Sequence, residues 1–422
     1  MKVTLSPCVP QGKIKAIASK SAAHRLLICA AFADKSTELV CEEVNEDINA
    51  TVRCLNALGA KITRRGTSFV VLPIKNVKKN AVLDCGESGS TMRFLVPIAA
   101  ALGADASFLM SGRLPDRPLS PLREELEAHG IVFSEQGSNP LTMKGKIDCG
   151  DYSIRGDISS QFISGLLFAL SIIEGESKLT ILGNRESQGY INMTLDALAE
   201  FDAEPEATGS GFSIVGRKKL TSPEKLTVEG DWSNAAFALC AGAISKKAKD
   251  SVHTLDSESN QGDRAIIELL VKFGADVRRK GDCFTVKGSC LYGLDIDASQ
   301  IPDLVPILAV TAAAAEGTTR IYGAQRLRIK ESDRLLAVTE MLKALGADVT
   351  ETEDGLIING GKRLTGGTVS SHNDHRIAMS AAVASILCEG DTVIEGAEAV
   401  AKSYPSFFDD FSSLGIALTK EE

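Results

Sequence analysis

Apolar and polar positions alternate over short stretches such as Ser68-Phe-Val-Val-Leu and Leu356-Ile-Ile-Asn, which predict strands. Between them lie two kinds of helical pattern. One is apolar nearly all round, as in Thr91-Met-Arg-Phe-Leu-Val-Pro-Ile-Ala-Ala-Ala-Leu and Asp303-Leu-Val-Pro-Ile-Leu-Ala-Val-Thr-Ala-Ala-Ala-Ala, and predicts a helix buried within its domain. The other is amphipathic, as in Pro121-Leu-Arg-Glu-Glu-Leu-Glu-Ala-His. Strands alternating with two helices per unit predict an α/β protein.

The pattern repeats. A helix-closing glycine followed by a short strand recurs at Gly59, Gly130, Gly274, Gly346 and Gly415, with Asp202 in the remaining place. The steps are 71, 72, 72, 72 and 69 residues. Gly suits the left-handed residue that ends a helix, and Asp tolerates that conformation better than most side chains. The buried helices keep the same period, beginning near Ser19, Ser90, Ser160, Ser233, Asp303 and Asp374, and each start carries a residue suited to an N-cap. Six such units are expected to divide into two lobes of three. One lobe is expected to comprise 1–12 with 230–422 and the other 13–229, with the N-terminal strand pairing in the second lobe.

Composition narrows the class. Aromatic residues are 5% of the 422, so Ala, Val, Ile and Leu must fill the cores. The net charge of −9 and pI near 5.3 argue against a general nucleic-acid binder. No apolar run is long enough to span a bilayer and no signal or transit peptide is visible. The ten cysteines include no CxxC pair, which argues against a Cys-rich zinc site or dithiol motif. Reduced cysteines in a cytoplasmic protein are the expectation.

Polar chemistry gathers at the six helix starts, where free N–H groups and the helix dipole favour anions. They read Ser19-Lys20-Ser21…Arg25, Gly86-Glu87-Ser88-Gly89-Ser90-Thr91-Met-Arg93, Ser159-Ser160-Gln161, Asp231-Trp232-Ser233, Pro302-Asp303 and Asp374-His375-Arg376. Lys20 and Arg25 stand about 1.4 turns apart and point in different directions. Arg326-Leu-Arg328-Ile-Lys330-Glu331-Ser332-Asp333-Arg334 mixes fixed cations with carboxylates, as a site that binds anions and moves protons requires. Singly, each of these is ordinarily a cap or a solvated charged face. Equivalent positions in repeated units converge if two three-fold lobes face each other, which makes them candidates for one inter-lobe cleft.

Lys20-Ser21…Arg25, Gly86–Arg93, Arg117-Pro118, Ser159-Ser160-Gln161, Tyr190, Pro302-Asp303, Lys330–Arg334, Asp374-His375-Arg376 and Lys402 together resemble the 5-enolpyruvylshikimate-3-phosphate synthase (3-phosphoshikimate 1-carboxyvinyltransferase) family along the whole chain. The resemblance implies a two-lobed enolpyruvyl transferase fold, an inside-out α/β barrel with three βαβαββ units in each lobe. It implies transfer of the enolpyruvyl group of phosphoenolpyruvate to the 5-hydroxyl of shikimate 3-phosphate by addition and elimination. It also implies a monomer that uses no metal or organic cofactor. By the same likeness Lys20, Ser21, Arg25, Ser159, Ser160, Gln161, Ser187, Tyr190, Asp303 and Lys330 hold shikimate 3-phosphate, while Lys20, Gly89, Arg117, Gln161, Arg334, Arg376 and Lys402 surround phosphoenolpyruvate. Asp303 resembles the base at the 5-hydroxyl, Glu331 the proton carrier to C3, and Lys20 joins them as catalytic.

Two positions depart from the family pattern. Glu87 places an acid in the Gly-rich loop, where it is expected to weaken glyphosate binding, and Arg326 stands where other members often have Asn or an acid. The UDP-N-acetylglucosamine enolpyruvyl transferases, which share fold and donor, have Lys-Asn at the first helix start and usually a reactive Cys in a mobile loop. Here the dipeptide is Lys20-Ser21, and residues 111–123 contain no Cys. RNA 3′-phosphate cyclases share the unit but not these motifs. A non-catalytic anion-binding protein on the same fold has little use for Asp303 and Glu331 among its cations.

Overall fold

The computed structural model describes residues 1–245 and 249–421. The chain forms two compact units, Met1–Ile17 with Glu229–Glu422, and Ala18–Val228. Each has its own apolar core.

Among the described residues there are six four-stranded sheets, three in each unit. The third repeat shows the plan. Asp151–Arg155 pairs in parallel with Gly175–Leu182, which pairs antiparallel with Gly211–Gly216, and that strand with Glu206–Thr208. A parallel pair needs a crossover, and the buried helix Ser160–Ser171 supplies it. The amphipathic helix Gln188–Ala199 then leads into the hairpin, completing βαβαββ.

Three repeats borrow strands from distant parts of the sequence. Lys225–Thr227 lies parallel to Thr37–Val40 and serves as first strand of the first repeat. Gln11–Lys15 lies parallel to Lys249–His253 and serves the fourth. Lys2–Leu5 pairs antiparallel with both Thr392–Glu395 and Leu418–Glu421, completing the sixth.

The buried helices are Lys20–Ala31, Gly89–Leu102, Ser160–Ser171, Trp232–Ile244, Val305–Ala314 and His375–Ala384. Their small side chains permit close packing, and every residue of Trp232–Ile244 is buried. Ser19, Ser88, Ser159, Asp231 and Asp374 cap five of them, each side chain accepting from an N–H of the first turn. The expected caps Ser90, Ser160 and Ser233 fall inside the first turn instead. The fifth start differs more: a 3-10 turn, Pro302–Leu304, precedes Val305–Ala314, and no side chain caps it. The Asp303 carboxyl therefore points to partners other than its own helix.

All six helix-closing positions have positive φ: 122° at Gly59, 89° at Gly130, 56° at Asp202, 104° at Gly274, 89° at Gly346 and 86° at Gly415. Asp202 thus takes the left-handed conformation that glycine takes elsewhere. All ten cysteines are free. Cys29 and Cys240 fill buried helix positions, and burial pushes the Cys240 thiol up to about 12. Among the described residues no helix is long and apolar enough to cross a membrane.

Candidate functional site

In the unit Ala18–Val228, the first turns of the buried helices carry a group rich in cations. Lys20 opens its helix behind the Ser19 cap, and its Nζ donates to Asp47 Oδ2 at 2.9 Å. Asp47 stands in the first turn of the neighbouring helix Glu46–Leu58. One turn further on, Arg25 is 2% exposed. Its Nε donates to Thr194 Oγ1, its Nη1 to the Ser21 carbonyl and its Nη2 to the Tyr190 carbonyl, each at 2.8 Å. Its guanidinium also lies 5.0 Å from the centre of the Phe94 ring. Burial lowers the Arg25 pKa to about 10, which leaves it charged at neutral pH. The two cations of this helix thus leave in different directions, as their spacing predicts.

Gln161 connects the third helix start to the second. Its Nε2 donates to Ser90 Oγ at 2.9 Å, and its Oε1 accepts from Arg93 Nη1 at 3.4 Å. Ser159 accepts from the Gln161 amide at 3.3 Å, which fixes this turn, and Ser160 follows it, buried. Gly89 begins the second helix with two guanidinium groups against it. A Cβ placed there would lie 2.7 Å from both Arg117 Nη1 and Arg93 Nη1. Ser187, before helix Gln188–Ala199, is buried with φ 54°, an uncommon conformation for Ser and costly unless its surroundings fix it. The Glu87 carboxylate packs against the Gly112 backbone, whose Cβ would meet Oε2 at 2.5 Å.

In the other unit, cations and carboxylates alternate around Arg334, which is 1% exposed. Its Nη1 donates to Asp303 Oδ1 at 2.8 Å, its Nη2 to Glu331 Oε2 at 2.7 Å and its Nε to Asp374 Oδ2 at 2.8 Å. Burial opposes the Arg334 charge, but Asp374, Glu331 and Asp303 together outweigh it and raise its pKa. Burial likewise opposes the Asp374 charge, and Arg334 with His375 overcomes it, holding Asp374 below the usual carboxylate range. Asp374 also accepts from Ser332 Oγ at 3.0 Å and caps its helix through the Arg376 amide at 2.9 Å. Arg376 donates to the Asp303 carbonyl at 2.9 Å and to Ser233 Oγ at 2.7 Å, and lies 3.6 Å from Asp303 Oδ2. Lys330 Nζ is also 3.6 Å from Asp303, on Oδ1. Lys402 donates to the Asn373 carbonyl at 2.5 Å, and Arg326 to the Ser299 carbonyl at 2.8 Å.

The structure thus brings the expected residues into two groups, one in each unit. The sequence assigns Asp47 and Thr194 no role and marks Ser233 only as a helix start, yet they hold Lys20, Arg25 and Arg376. The acidic start Asn45-Glu46-Asp47 was the one local signal for Asp47.

Chemically the groups differ. Around the first three helix starts Lys20, Arg25, Arg93 and Arg117 outnumber the nearby acids, which suits anion binding. Around Arg334 the charges nearly balance. An anion arriving there disturbs that balance and disfavours the charged form of nearby carboxylates.

Residues 9–411 match the family described as EPSP synthase (3-phosphoshikimate 1-carboxyvinyltransferase). The chain is 43% identical to the 3-phosphoshikimate 1-carboxyvinyltransferase of Clostridium kluyveri over 416 residues, 98% of this chain and 97% of the relative. It is also 43% identical to the protein of that name from Clostridium acetobutylicum, over 98% of this chain and 97% of the relative. The solved EPSP synthase of Acinetobacter baumannii superposes with a TM-score of 0.81 at 28% identity, covering 99% of this chain and 100% of that one. The enolpyruvyl transferase NikO of Streptomyces tendae superposes with a TM-score of 0.78 at 17% identity, over 99% of this chain and 98% of that one, a likeness of fold alone.

Proposed function

The chain belongs to the EPSP synthase family, and we propose that it transfers the enolpyruvyl group of phosphoenolpyruvate to the 5-hydroxyl of shikimate 3-phosphate, releasing phosphate. The product, 5-enolpyruvylshikimate 3-phosphate, leads to chorismate and the aromatic amino acids. The single observation that carries the mechanism is that Asp303 and Glu331 bind opposite arms of one buried guanidinium, at 2.8 and 2.7 Å. Two carboxylates fixed by one cation keep a set separation, and each stays within reach of a proton.

In the addition step the 5-oxygen bonds to C2 of phosphoenolpyruvate, its proton passes to Asp303, and Glu331 delivers a proton to C3. In the elimination step the C2–O bond to phosphate breaks, phosphate leaves with the electron pair, and C3 returns a proton to Glu331. The proton held by Asp303 passes to the departing phosphate or to water, which restores both carboxyl groups. Lys20 stands with the phosphoenolpyruvate phosphate, where its charge offsets the developing negative charge.

The remaining assignments are those the family likeness implies. Ser21, Arg25, Ser159, Ser160, Gln161, Ser187 and Tyr190 serve shikimate 3-phosphate, with Lys20, Asp303 and Lys330. Gly89, Arg117, Arg376 and Lys402 serve phosphoenolpyruvate, with Lys20, Gln161 and Arg334. Arg334 meets that substrate only by exchanging a carboxylate partner, because its arms are engaged and it is buried. The same reading makes the protein a cytoplasmic monomer, with an acidic pI and free cysteines in support.

The test is product mass after incubation with both substrates, in the wild type and in Asp303→Asn and Glu331→Gln. Each variant is expected to lose roughly a hundredfold or more in turnover. Full activity in either contradicts its role.

A further inference from the structure

One buried acid beside these groups has been given no part. Asp263 lies in the 3-10 turn Gly262–Ala265 and is 3% exposed. Neither of its carboxylate oxygens makes a well-formed hydrogen bond among the described residues. The turn presses on the loop that carries Asp303: a Cβ on Gly262 would stand 3.3 Å from the Gln300 carbonyl oxygen. Nearby, Ser233 Oγ accepts from Arg376 at 2.7 Å, and Arg376 donates to the Asp303 carbonyl at 2.9 Å. The charged groups facing Asp263 are Asp303, Arg376 and Asp231, and the Ser233 hydroxyl is its neutral support. Burial first, and the charge of Asp303 second, push its carboxyl up to about 6 against Arg376 and Ser233.

A buried carboxyl without good bonds, next to a like charge, is costly, and an amide of the same shape would cost less. What it contributes is charge. Asp303 faces Arg334 at 2.8 Å and both Lys330 and Arg376 at 3.6 Å. Each cation favours ionised Asp303, and a carboxylate so held accepts a proton poorly. The coupling between two acids is reciprocal, so the interaction that raises Asp263 also raises the proton affinity of Asp303.

We propose that Asp263 is a positioning residue whose buried charge keeps Asp303 proton-accepting against its three cations. This rests on the assignment of Asp303 as the base. The test is the pH profile of kcat/KM in Asp263→Asn. The acid limb is expected to move down by about one pH unit and kcat/KM to fall about tenfold. The Tm at neutral pH is expected to hold or rise, because a buried charge is removed. An unmoved acid limb, or a lowered Tm with unchanged turnover, overturns the proposal. A second measurement does not depend on turnover or on that variant folding. In protein carrying carbon-13 at its aspartate carboxyls, Asp303→Asn is expected to bring the Asp263 titration down from near 6 toward the ordinary range. An unchanged titration overturns the coupling whatever the enzyme's substrates prove to be, whereas absence of enolpyruvyl transfer in the wild type would count against the base assignment alone.

Discussion

Arg334 and Asp374 meet edge-on, Nε to Oδ2 at 2.8 Å and Nη2 to Oδ1 at 3.3 Å, with side chains 1% and 0% exposed. Breaking a buried pair costs up to about 3–5 kcal/mol. Without Asp374 the buried Arg334 keeps only Asp303 and Glu331 as partners. Asp374→Ala also removes the cap of helix His375–Ala384. It is expected to lower the midpoint of thermal unfolding substantially. An unchanged midpoint would show that the pair contributes little to the fold.

The two kinds of buried acid give opposite pH dependence. Asp374 is held below its ordinary value of 3.8, so its contribution is present above that pH and is lost as pH falls through the lower folded value. Asp250 is fully buried, and desolvation pushes its carboxyl up to about 7, with the Gly12 backbone only partly opposing. The fold therefore binds that proton more tightly than the unfolded chain does, and stability falls as pH rises from about 4 to about 7. Asp250→Asn is expected to raise the unfolding temperature by several degrees at pH 8 and to change it little at pH 4. Equal effects at both pH values would contradict this.

Gly89→Ala separates binding from stability. The helix gains a better helix former, by up to about 1 kcal/mol. The new Cβ, 2.7 Å from the guanidinium ends of Arg117 and Arg93, displaces flexible side chains instead of backbone. The expected result is an unchanged or higher unfolding midpoint with a KM for phosphoenolpyruvate raised about tenfold, as a misplaced charge-assisted contact implies. An unmoved KM would remove Gly89 and Arg117 from that site.

Arg25→Lys tests geometry at constant charge. A lysine cannot serve Thr194, Ser21 and Tyr190 at once as the planar guanidinium does. Unfolding is expected at a lower temperature, and the KM for shikimate 3-phosphate should rise more than that for phosphoenolpyruvate. Wild-type values for both would show that the fork is dispensable.

Local patterns carried the fold well. Asp202 was readable as a left-handed closure because its five counterparts are glycines at one period, and its φ of 56° agrees. The cap at the fifth helix start was misread because Pro302 opens a 3-10 turn there, and Asp303 looks like a cap in sequence. What no period reveals is which residue holds which. Thr194 lies 169 positions from Arg25, Asp374 40 from Arg334, and Ser233 143 from Arg376. Those pairings exist only after the helices pack. Charge type and spacing marked the candidate site, and the family likeness supplied the roles, but the carboxylate network around Arg334 had to be seen in three dimensions.

The most direct test of the proposed reaction is phosphate release by the wild-type protein, with each substrate withheld in turn and UDP-N-acetylglucosamine offered in place of shikimate 3-phosphate. Release should require phosphoenolpyruvate and shikimate 3-phosphate together. Release with the nucleotide sugar, with phosphoenolpyruvate alone, or with no pair at all would contradict it.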